Sequence, residues 1–107
     1  MADAIFVLTT VADRAAAETL AQALLARRLA ACVNVGAPVE SLYHWRGRIE
    51  TGHELPLTIK TRASLYSQVE ATIRELHSYE LPEIVAVPIT DGYAPYIGWL
   101  HDETTAS

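Results

Sequence analysis

Residues 31–62 read ACVNVGAPVESLYHWRGRIETGHELPLTIKTR, and this stretch decides the fold. Ala31 to Val35 starts a strand. Gly36-Ala37-Pro38 bends or bulges it, and it resumes from Val39 to Trp45. Arg46-Gly47-Arg48 is a tight turn in which Gly47 supplies positive φ. The chain then returns from Arg48 to Arg62, with an interruption expected near Gly52. Leu55, Leu57 and Ile59 alternate with Thr58, Lys60 and Arg62, the two-residue period of a strand with one buried face. Pro56 has no N–H to give a ladder and marks an edge or bulge. The result is a hairpin with arms of about 13–15 residues, against five or six for an ordinary strand. At ~3.3 Å per residue each arm reaches roughly 40 Å, farther than a domain of this size is wide. Tyr43, Trp45 and Ile49 near the tip need cover. Pairing with further subunits supplies it, so a homo-oligomer is expected.

Outward from the hairpin, the remaining elements follow from periodicity. Ala4 to Leu8 (AIFVL) is apolar on both faces, as a central strand is. Asp13 is a helix N-cap, and Ala16, Leu20, Ala23, Leu24 and Leu29 recur at helical spacing, which predicts a helix over about residues 14–28. Ser64 is placed to cap a second helix whose apolar stripe is Leu65, Val69, Ile73 and Leu76. Leu81-Pro82 breaks the chain before Ile84 to Ile89 (IVAVPI), a further strand apolar on both faces. Asp91-Gly92 leads into a short helix with Tyr93, Tyr96, Ile97 and Leu100 on one side. The order is β-α-β-β-α-β plus a terminal helix. That is the α+β, ferredoxin-like pattern: an antiparallel sheet with helices on one face. One domain spans residues 1–107.

Composition bounds the function. The chain has 107 residues, half of them apolar, and a formal charge of −5. No basic face is visible, since the only adjacent basic pair is Arg27-Arg28 at a helix end, and nucleic-acid binding is not expected. Apolar runs are far too short to span a membrane. A single cysteine, Cys32, forbids an internal disulfide and suits a reducing, cytoplasmic setting. Motifs for nucleotide-phosphate loops, zinc proteases, dithiol redox centres and serine hydrolases are all missing, so no enzyme is expected.

His77, Tyr79, Glu80 and Glu83 cluster between the second helix and the last strand, where a loop lines a cleft. Imidazole with carboxylates is a donor set for copper or zinc. The competing reading makes His77 a helix-end cap and pairs the carboxylates with Arg or Lys. Cys32 reads first as a small buried hydrophobe and second as a thiolate ligand. Glu50, Glu54 and Lys60 on the hairpin suit an inter-subunit ion-pair network, or an anionic ligand. Trp45 and Trp99 suit burial between subunits. His44, His53 and His101 read as surface or interface histidines.

Five blocks then carry a resemblance over nearly the whole chain. They are RLAACVN from Arg28, SLYHWRGRIE from Ser41, Ile59-Lys60-Thr61, HSYELPEI from His77, and Tyr96-Ile97-Gly98-Trp99-Leu100. In this order they resemble the CutA-type divalent-cation tolerance family. The resemblance implies a tight homotrimer with strands paired between subunits, and a link to copper and other divalent cations. The copper ligands proposed in bacterial members look like a cysteine ending the first strand and two adjacent histidines before Pro-Tyr. Here those positions hold Thr9, Leu76 and His77, and Ser78 replaces the proline. One thiolate and one imidazole are missing, so the implied site is weak: Cu2+ or a similar cation on His77, Glu80 and Glu83, with Cys32 as the soft ligand. The alternative is a trimeric sensor or scaffold that holds a small anionic metabolite between subunits, as the similarly built PII signalling trimers do.

Overall fold

The computed structural model describes residues 3–104. Five strands and three helices follow one another as β1 (Ala4–Val11), α1 (Arg14–Ala26), β2 (Cys32–Val35), β3 (Val39–Trp45), β4 (Arg48–Arg62), α2 (Tyr66–Leu76), β5 (Val85–Pro88) and α3 (Ala94–Glu103). All pairings are antiparallel, and the sheet order is β2-β4-β1-β5. β1 is central as expected, and it runs three residues beyond Leu8, to Val11. This is the strand order of the split β-α-β fold.

β4 is the spine. Residues 55–62 pair with β1, residues 57–60 pair with β2 on the other side, and residues 48–54 pair with β3. No interruption occurs at Gly52, which stays in register opposite Ser41. The bend expected at Gly36-Ala37-Pro38 does separate β2 from β3, opposite Pro56. There the Gly36 amide donates to the Pro56 carbonyl at 2.8 Å. In a strand the N and O of one residue point the same way, so the missing N–H of Pro56 faces this gap and costs no ladder bond. A Cβ on Gly36 would sit 2.8 Å from the Pro56 ring. The hairpin tip is a two-residue turn with positive φ at both Arg46 (52°) and Gly47 (79°), the geometry that matches strand twist.

Alternation divides the sheet into two faces. Ile5, Val7 and Val11 with Leu55, Leu57 and Ile59 meet Leu20 and Leu24 of α1 and Val69 and Ile73 of α2 in one core. The opposite face carries Phe6, Leu8, Thr10, Glu54, Thr58 and Lys60 and is only half-buried. α3 buries Ile97 and Leu100 outside that core. It is tied to the strand ends by Arg62, which donates to the Thr104 hydroxyl and carbonyl, and by His101, 2.8 Å from Asp3.

Four expectations are corrected. α1 ends at Ala26 rather than Arg28, because Arg28 turns left-handed (φ 57°) and closes a Schellman cap. Its amide bonds to the Leu25 carbonyl, and that of Leu29 to Leu24. Ser64 does not cap α2; it lies in a 3-10 turn (Ala63–Leu65) leading into the helix, and no side chain caps Leu65. Thr72 rather than Leu76 completes the buried face of α2: it accepts from Arg27, while Leu76 is 37% exposed. β5 is also unlike its sequence reading. It forms the sheet edge, and all four residues are exposed although they are apolar.

The molecule measures 45 × 26 × 23 Å, and its radius of gyration is 14.4 Å. A compact chain of this length has about 13 Å. The excess is the hairpin, which leaves the body of the sheet beyond Leu55.

Candidate functional site: an acidic cleft between hairpin and loop

Where β4 leaves the sheet, Glu54 projects from the half-buried face beside Thr10 of β1 and Ser41 of β3. Thr10 donates to one carboxylate oxygen at 3.1 Å and Ser41 to the other at 2.6 Å. The Tyr79 phenol lies against the same carboxylate. Burial pushes the Glu54 carboxyl up, but the hydroxyls of Ser41, Tyr79 and Thr10, with His77 nearby, outweigh it and hold the group below its ordinary value. The reciprocal effect appears at Tyr79. Burial first, and the adjacent Glu54 carboxylate second, push its phenol up to about 12.

The loop after α2 is fastened over this cluster. The His77 amide closes the helix on the Ile73 carbonyl. The His77 Nε2 meets the Thr10 carbonyl at 2.6 Å, and its Nδ1 accepts the Tyr79 amide at 3.1 Å. A carbonyl only accepts and an amide only donates, so the ring is held with its proton on Nε2. The Tyr79 ring packs at 4.5 Å on the imidazole. Farther along, Glu80 reaches Arg46 of the hairpin turn at 3.0 Å, and Arg46 lies 5.3 Å from the centre of the Trp45 ring. A cleft of about 630 Å3 opens between loop and hairpin. It is lined by Glu54, Glu80 and Glu83, by Tyr43, Trp45 and Tyr79, and by the His44 edge; no lysine or arginine lines it.

Sequence reasoning named the loop but not its partners. Glu80 and Glu83 do line the cleft. His77 stands behind it, and both its ring nitrogens are engaged. Cys32 lies on β2 opposite Lys60 and is half-buried, away from the loop. Among the described residues no three His, Cys, Asp or Glu side chains converge as a metal-holding group, so the four named residues are not brought together. Thr9 points into the core beneath the helices with its hydroxyl unpartnered, and Leu76 is exposed. Among the described residues no ion pair joins Glu50, Glu54 or Lys60 within the chain, and the network expected of them is one between subunits. Lys60 lies 6.0 Å from the Phe6 ring, and Glu54 takes hydroxyls instead. Register alone turns Tyr43 and Trp45 to the Glu54 side of the hairpin, and Leu42 and Ile49 to the other. Thr10, Ser41 and Glu54, the heart of the site, come from three strands. No local signal joins them.

With that geometry in place, comparison with known proteins decides the family. Residues 5–103 match the profile of the CutA1 divalent ion tolerance protein. The chain is a member of that family. The divalent-cation tolerance protein CutA of Thermus thermophilus is 41% identical over 92% of this chain and 95% of its own length. The chloroplastic CutA protein of Arabidopsis thaliana is 40% identical over 94% of this chain, which spans only 55% of that relative. The crystal structure of CutA1 from Oryza sativa superposes with a TM-score of 0.95 at 38% identity, covering 99% of this chain and 97% of that one. That of the Thermus thermophilus protein gives 0.93 at 39%, covering 95% of this chain and 99% of that one. The CutA1 fold, with its overlong β3–β4 hairpin, is therefore shared from end to end.

Proposed function

We propose that this CutA1-family chain serves divalent-cation tolerance as a non-catalytic homotrimer that draws cations weakly to the acidic cleft. The observation that carries this reading is the cleft lining: three carboxylates, of which only Glu80 has a basic partner, Arg46. Such a lining favours cations and opposes the small anion of a PII-like sensor. The carboxylates of the cleft draw the cation, in place of His77 and Cys32; Glu83 is open to it, and Glu80 becomes so on release of Arg46. Coordination by His77 would require release of the Thr10 carbonyl or the Tyr79 amide. Carboxylate oxygens alone make a poor copper set, so affinity no tighter than micromolar, roughly −8 kcal/mol, is expected. A reducing, cytoplasmic setting fits the single cysteine.

The trimer reading rests on the projecting hairpin. Leu42 and Ile49 are 66% and 72% exposed on the face away from the cleft, and the outer edge of β3 is unpaired. We assign the subunit contact to these residues and to Trp99, and leave Tyr43 and Trp45 to the cleft.

Calorimetric titration with Cu2+ at neutral pH tests the metal reading. The double variant Glu80→Gln, Glu83→Gln should lose most of the heat, while His77→Ala should lose stability and keep copper. Copper binding abolished by His77→Ala, in a variant still folded by circular dichroism, would return the site to His77.

A further inference from the structure

Glu54 differs from the other two carboxylates of the cleft. Its carboxylate oxygens accept from the hydroxyls of Thr10 and Ser41, and no Lys or Arg among the described residues forms an ion pair with it. A half-buried carboxylate with two hydroxyl hydrogen bonds retains acceptor capacity, because two oxygens offer about four lone-pair sites. Its charge is otherwise uncompensated, which favours a cation beside it. The side chains around it are poor at stripping water from a metal ion, as no three metal donors converge there. They suit a different cation. Tyr43 and Trp45 bring aromatic rings to the same cleft, and ring faces attract an ammonium and cover the hydrocarbon next to it. The nearby guanidinium of Arg46 shows the same preference, lying against Trp45 while Glu80 takes its charge. The volume of about 630 Å3 falls in the range that encloses a small organic molecule.

We propose that the cleft binds a protonated organic amine, with the ammonium on Glu54 and the carbon body between Tyr43 and Trp45. This rests on the reading of the cleft as the ligand site, and it replaces a bare metal ion at Glu54 with an organic cation. An ammonium donates three hydrogen bonds, of which the Glu54 carboxylate and the open rim accept two or more. A neutral alcohol of the same shape lacks the charge, and a carboxylate is repelled by all three glutamates.

The test uses benzylamine, benzyl alcohol and benzoate as matched probes of positive, zero and negative charge, titrated calorimetrically into the full-length chain at pH 7. Benzylamine should bind at least about tenfold more tightly than either of the others. Glu54→Gln keeps the shape and removes the charge, and it should erase that preference. Equal binding of benzylamine and benzyl alcohol, a preference for benzoate, or no binding of any probe overturns the proposal. So does an unchanged preference in folded Glu54→Gln. Should that variant not fold, the comparison of three probes on the wild type decides alone. A parallel Cu2+ titration separates the two readings. Copper binding without amine binding removes only the amine, whereas failure of both removes the cleft as a ligand site.

Discussion

Thr9 and Thr10 are adjacent, alike in chemistry and opposite in fate. Alternation turns Thr10 to the cleft, where Glu54 accepts its hydroxyl, and Thr9 into the core, where its hydroxyl has no partner. A buried hydroxyl without a bond costs about 1–3 kcal/mol, and valine has the same shape without the polar atom. Thr9→Val should therefore stabilise the chain by about 1 kcal/mol in urea unfolding. A loss of stability would mean that a buried water satisfies Thr9. The same pair shows how far the sequence is legible. The sequence marks Ala4 to Leu8 as a strand apolar on both faces, so the opposite fates of Thr9 and Thr10, beyond its expected end, are not readable there. That Thr10 meets Glu54 depends on the register of β1 against β4, 44 residues apart. Arg28 is a second case. The left-handed end of α1 is hard to read because an arginine stands where glycine signals such a cap, so periodicity carried the helix two residues too far.

At the scale of elements, the 77–83 loop is a strap that joins α2 to the hairpin. It is anchored by His77 on Thr10, by Tyr79 beside Glu54 and by Glu80 on Arg46. Its ionisations set two pH limits. The Glu54 carboxyl is lowered on folding, so its contribution is present above the unfolded value near 4.5 and fades as pH falls below it. The Tyr79 phenol is raised, so its contribution is complete below 10 and fades as pH climbs toward about 12. Tyr79→Phe should remove the alkaline loss of stability between these values and leave the acid limb in place. Thermal melts of both proteins from pH 9 to 12 check this, and an unchanged alkaline limb would place the sensitive group elsewhere. The loop sequence announced polar residues without its own core, and a cleft was readable from that. Its opposite wall is not, because the sequence points Tyr43 and Glu54 toward contacts between subunits and singles out no role for Ser41.

At the scale of the molecule, β5 and the hairpin tip are the features a single chain leaves unfinished. Val85 and Val87 are exposed at the sheet edge, and Leu42 and Ile49 are exposed on the tip. Periodicity read β5 as buried on both faces; within one chain it is buried on neither, which a partner subunit would resolve. Light scattering at micromolar concentration should give a trimer mass, and Ile49→Glu should shift it toward monomer, since a charge cannot enter a dry contact at little cost. A wild-type monomer would refute the assembly. Where the cation goes is read by line broadening from substoichiometric Cu2+ in amide nuclear magnetic resonance spectra. Broadening should concentrate on residues 41–45 and 79–83, the two walls of the cleft. Broadening centred on Cys32 and the β2 strand, or spread evenly over the acidic surface, would contradict it.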